Sequence, residues 1–162
     1  MKKLAISIAV SLMLVALLAV PAIAAEEETS TTATVAVNEF VNITLAGSIG
    51  FGSVEPPVTQ QGTVGQSDGS PAITITVEPD TNVDVDISIK GAINSGTLAL
   101  SNWFYSTQYD KSDIAALTGS YVEVYDTATG TSDFYHWISV PAGTDSGDHS
   151  VSVSYKAETH TP

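Results

Sequence analysis

The sequence predicts an all-β chain, and three observations predict it. Apolar and polar residues alternate with period two in several separate stretches after residue 32, which is the periodicity of a half-buried strand. Short clusters of Gly, Pro, Asn and Asp punctuate these runs. Helical spacing after residue 24 amounts to a single turn.

The first 24 residues, MKKLAISIAVSLMLVALLAVPAIA, read as an export signal. Lys2 and Lys3 form a positive start and residues 4–20 an apolar run. Pro21 ends it, and Ala22 and Ala24 supply the small −3 and −1 side chains that signal peptidase requires. The run falls short of the ~20 residues that span a bilayer, and Ser7 and Ser11 weaken it. Nothing at Lys3-Leu4 resembles a type IV pilin cleavage site. Residues 1–24 are therefore expected to be a cleaved signal peptide, giving a secreted or cell-surface protein with no membrane span after cleavage.

From Ala33 the odd positions are apolar as far as Phe51, apart from Glu39 and Gly47. Nineteen residues of strand would reach roughly 60 Å. A domain of this size is only about 35–40 Å across, from a radius of gyration near 14 Å. Either the run breaks near Asn38-Glu39 and again near Gly47, or its first part leaves the domain. Residues 25–38 are thus expected to be an N-terminal extended segment, with Ala33, Val35 and Val37 as the apolar face of a candidate donor strand, and residues 39–162 a single domain. Residues 52–71, with Pro56-Pro57 and several glycines, read as loop. Residues 73–77 and 83–89 alternate cleanly and read as two strands around a turn at 79–82. Residues 97–100 and 103–106 read as short strands, 113–117 as one helical turn, and 121–125 as a strand. The clearest pair closes the chain: DFYHWISV at 133–140, the loop PAGTDSGD, and a strand at 149–157 with Val151, Val153, Tyr155 and Ala157 on one face. About eight short strands with turns between them is the pattern of a Greek-key β-sandwich, Ig-like or jelly-roll.

Composition narrows the function. The five basic residues are all lysines and two lie in the signal, which leaves three lysines against 18 acidic residues, a net charge of −15. Such a chain repels nucleic acid and anionic lipid. Cysteine is absent, so neither a thiol nucleophile nor a disulfide framework exists. The three histidines, His136, His149 and His160, show no metal-protease spacing. No G-x-S-x-G elbow occurs, and the glycines at 47–52 are in the wrong order for a dinucleotide loop. Calcium is the one cofactor the loops leave open, through Asp110 with Asp113, Asp126 with Asp133, and Asp145 with Asp148. None matches the EF-hand spacing, and solvated turn aspartates explain them as well; no cofactor is expected. On the strand at 133–140, Tyr135 and Trp137 share a face opposite Phe134, His136 and Ile138. That pair is either core packing or a candidate surface for stacking a sugar ring. Asn42-Ile43-Thr44 is the sole N-glycosylation sequon, and it falls on a strand.

Two stretches carry a family likeness. FGSVEPP at 51–57, after an extended segment just inside the signal, and WISVPAGTDSGDHSVSVSY at 137–155 resemble secreted prokaryotic β-sandwich proteins. The second is similar to the V-P-A-G-T-x-x-G closing hairpin of Ig-like surface domains. A cleaved signal followed by one sandwich resembles the TasA-like and archaeal bundling-pilus fibre subunits. The resemblance implies that the N-terminal strand of one subunit completes the sheet of the next, and it transfers no catalytic residue.

The sequence thus predicts an extracellular structural subunit of a surface filament, pilus or biofilm matrix, not an enzyme, whose partner is a second copy of itself. The alternative is a secreted or cell-surface adhesion module with a glycan or protein ligand at Tyr135 and Trp137.

Overall fold

The computed structural model describes residues 34–162. The expected signal peptide, Ala33 and most of the expected N-terminal segment lie outside the described residues. The chain divides into residues 1–36 and residues 37–162, and every strand among the described residues belongs to the second unit.

The strands are β1 (Ile43–Gly47), β2 (Val58–Gly62), β3 (Ile73–Val77), β4 (Val85–Ser95), β5 (Trp103–Ser106), β6 (Ala115–Ala116), β7 (Val122–Ala128), β8 (Thr131–Val140) and β9 (Ser150–Thr159). The described residues contain no α-helix, only 3-10 turns at Gln66–Asp68 and Leu100–Asn102. All pairs are antiparallel and they build two sheets. The first runs β1-β3-β8-β5-β6, and the second β7-β4-β9. β2 also joins the first sheet, sharing one edge of β8 with β3: β3 lies beside Thr131 to Phe134, β2 beside Trp137 to Val140.

Both sheets turn alternate residues onto one core, the layering of a β-sandwich. Ile73, Ile75, Phe134, Ile138 and Val140 come from the first sheet, and Val85, Ile87 and Ile89 from the second. Phe134 ties the layers together. Its ring meets Tyr125 of β7 edge-on at 5.4 Å and Tyr155 of β9 at 4.9 Å. Full burial of such a side chain stabilises by about 1.5–3 kcal/mol.

Four elements differ from the sequence expectation. β2 forms where a loop was expected, because VTQQG has no alternation to betray it; its ladder exists only through β8, and it is bulged between Val58 and Gln61, with Gln60 at φ 50°. Residues 113–117 are not a helical turn. One isolated turn is costly to nucleate, and Ala115 and Ala116 pair with Tyr105 and Phe104 instead. Residues 97–99 carry no strand, and the chain enters a 3-10 turn at Leu100. β4 also runs on to Ser95, well past Ile89. Gly91 permits this: a Cβ there would press into the Leu100 and Leu117 side chains.

Candidate functional site

The long period-two run resolves into a short edge strand and an exposed lead-in. Among its described residues Ile43–Gly47 alone is strand, pairing with β3 on one side. Gly47 ends it at φ 104°, with Ser48 N donating to the Ala72 carbonyl at 3.0 Å. Residues 34–42 have no strand assignment. Val35 is 86 % exposed and Val37 76 % exposed. Further along, the chain is clipped to the domain: Phe40 N donates to Asn82 Oδ1 at 2.7 Å, Asn82 N to the Phe40 carbonyl, and Thr159 Oγ1 to Glu39 Oε2 at 3.3 Å.

Each sheet has an outer strand that meets this segment at one end. β1 is the last strand of the first sheet, and β9, ten residues long, is the last of the second. Neither outer edge has a partner strand among the described residues. Glu39 sits at the Thr159 end of β9, and the chain beyond β1 returns beside its start, where residues 49–54 and 148–151 line a common groove of about 570 Å³. Ile49, Phe51, Val54, Trp103, Ile138, Val140 and Val151 make the floor apolar, and Asp145, Asp148 and His149 stand among its lining. Phe51 packs edge-on against Trp103 at 5.8 Å. The Trp103 indole N–H is buried without a hydrogen-bond partner, a state that costs roughly 1–3 kcal/mol. Along β9 the inward Val151, Val153, Tyr155 and Ala157 are only partly buried, while facing Val85, Ile87 and Ile89 of β4 are sealed. The core is incompletely covered beside β9.

Tyr135 and Trp137 stack at 6.2 Å on the outer face of β8, and Tyr109 adds a third ring 5.8 Å from Tyr135. Trp137 is only 3 % exposed, with the Lys111 ammonium 5.6 Å from its ring centre. A sugar could reach Tyr135 but not the indole face. On the inner face His136 is sealed. Its Nε2 lies 2.7 Å from the Tyr155 hydroxyl, and its backbone N donates to Gln66 Oε1. Burial lowers its pKa from 6.5 to about 4, with a hydrogen bond to the Phe104 backbone pulling weakly upward. It is a neutral core residue.

The candidate aspartates are engaged by nearby protein groups, and Asp126 and Asp133 lie on β7 and β8 instead of in loops. Asp113 accepts from Ser106 and Thr107, Asp110 from Ser112 N, Asp133 from Thr74, and Asp145 from Thr97. The three-donor cluster among the described residues is Asp86, Asp126 and His160, drawn from β4, β7 and the tail, with mutual distances under 4.8 Å. Asp126 of the sequence expectation belongs to it; Asp86 and His160 lie 40 and 34 residues away from it and no spacing rule finds them. His160 Nδ1 lies 2.9 Å from Asp86 Oδ1 and 3.1 Å from Asp126 Oδ1. The Asp86 hydrogen bond, aided by the charges of Asp86, Asp126 and Asp84, raises the imidazole pKa above its usual value against some desolvation. The cluster is self-satisfied as a clasp on the C-terminal tail. No protein family, curated protein or solved structure matches the chain.

Proposed function

We propose that the chain is an extracellular structural subunit that assembles head to tail into filaments by strand exchange. Residues 33–37 of one copy enter the open side of the next, between β1 and β9. The sandwich is further assigned to the Greek-key, Ig-like or jelly-roll class, on the support of antiparallel strands that cross between two sheets. Export rests on the signal-like start of the sequence.

One observation carries the reading: the same molecule has an open edge along β9, with a groove at the start of that strand, and exposed Val35 and Val37 ahead of β1. Adding a strand to an exposed edge satisfies main-chain donors and acceptors and puts alternate side chains into pockets. Magnitudes show what is needed. Burying Val35 and Val37 supplies about 1.5–3 kcal/mol each, which alone does not cover an association cost of about 4–15 kcal/mol. A ladder at about 0.5–1.5 kcal/mol per hydrogen bond closes the gap. A contact in which each copy gives one surface and receives on another does not close, and so produces a fibre. The glycan-binding alternative has less support, because Trp137 is covered.

Deletion of residues 25–37 is expected to abolish fibres in negative-stain images while the remaining domain still runs as a folded monomer on gel filtration. Fibres from the truncated chain would overturn strand exchange.

A further inference from the structure

We propose that Asn42 is an N-glycosylation site, modified on the outward face of the β1 edge, with Phe40 as the platform for the first sugar. The inference does not rest on filament assembly. It starts from Asn42-Ile43-Thr44, the chain's one Asn-x-Thr sequon.

A sequon sealed in a sheet would carry nothing, but this one is open. Val41 and Ile43 pack against the core. Alternation in extended chain then sends Phe40, Asn42 and Thr44 to the other side. Phe40 is 51 % exposed, an uncommon position for a benzyl ring on an acidic surface. It stands two residues before Asn42 on the same face. At that offset, about 6.6 Å along a strand, an exposed ring lies within reach of the apolar face of a sugar on Asn42. Asn42 is half-buried, but its amide reaches solvent, where it donates to the Asp80 carboxylate at 3.1 and 3.3 Å. Thr44 holds its hydroxyl toward Glu78 at 2.7 Å, on the surface as well. No strand covers the outer edge of β1 among the described residues.

The chemistry balances with a lipid-pyrophosphate-linked oligosaccharide as donor and an oligosaccharyltransferase as catalyst. Asn42 Nδ2 attacks the anomeric carbon of the first sugar, and a C–N bond forms. The C–O bond to phosphate breaks, and the lipid pyrophosphate leaves with that electron pair. One amide proton passes to base. The other N–H remains, enough to keep one of the two bonds to Asp80. A glycan here would also shield Phe40 and hinder edge-to-edge pairing along β1, the hazard of any open strand.

The test incubates the purified full chain with an oligosaccharyltransferase that requires only Asn-x-Ser/Thr and its lipid-linked oligosaccharide, beside a control protein with one accessible sequon. Intact mass is expected to rise by one glycan, mapped to Asn42 by peptide sequencing. Asn42→Gln and Thr44→Ala should remove the gain, Thr44→Ser should keep it, and Phe40→Ala should slow transfer several-fold. Circular dichroism of each variant guards against unfolding. No gain while the control is fully modified would overturn the site. A Phe40→Ala rate equal to the parent's would overturn the platform role.

Discussion

His136 shows what a single buried group does to the pH response. The neutral ring can accept the Tyr155 hydroxyl at Nε2; a protonated ring cannot. Its folded pKa, about 4, lies below the ordinary 6.5, so below pH 6.5 the unfolded chain takes up a proton that the native ring refuses. Stability therefore falls as pH drops from 6.5 toward 4. Between pH 6.5 and 5, above the carboxylate range, the expected loss is about 2 kcal/mol, read from urea midpoints. His136→Gln should flatten that slope; an unchanged slope would assign it elsewhere. His160 has the opposite sign. Its pKa is raised, so its tail clasp is fully present below pH 6.5 and is lost as pH rises through the folded value.

At the scale of elements, β1 depends on where it stops. Gly47 sits at a φ that side chains avoid, and a Cβ there would run into the Ala72 carbonyl. Gly47→Ala should cost at least ~2 kcal/mol. Gly50, three residues on, has open space around its missing Cβ, and Gly50→Ala should stay within about 0.5 kcal/mol. Equal costs, measured by thermal unfolding, would mean that the turn out of β1 is misplaced. β6 and β2 carry a different lesson. Neither ladder is written in its own residues: Ala115 and Ala116 favour helix, and Thr59, Gln60 and Gln61 favour solvent, yet the neighbouring strands β5 and β8 supply partners.

For the whole molecule, the proposed assembly turns on the side between β1 and β9. The chain contains no cysteine, so introduced thiols report contacts without background. Val35→Cys in one preparation, mixed with Val151→Cys or Val153→Cys in another, should give a disulfide-linked pair under oxidation. Glu123→Cys on β7 should not, because the bond needs Cβ atoms about 3.5–4.5 Å apart. Capture by β7 would move the acceptor to the wrong edge. Crosslinks confined within a chain carrying both thiols would mean that the segment folds back on its own sheet. Copies this acidic repel one another, so linking should quicken as salt rises.

The sequence by itself determined the strands whose residues declare their own environment. β3, β5, β8 and β9 match the alternation at residues 73–77, 103–106, 133–140 and 149–157 within a few residues, because one face of each meets the core and the other does not. Alternation also offered Gly47 as one place where the long run could break, and put His136 on the same strand face as Phe134 and Ile138. Which strands pair, and what they leave open, is non-local, and only the tertiary structure decided it. Alternation assigns two faces to a strand but is silent about its two edges. The free edge of β9, the groove that joins Phe51 to Val151, the covering of Trp137, and the meeting of Asp86, Asp126 and His160 all depend on segments far apart in the chain. No periodicity encodes those distances; they follow from the order in which two sheets stack their strands.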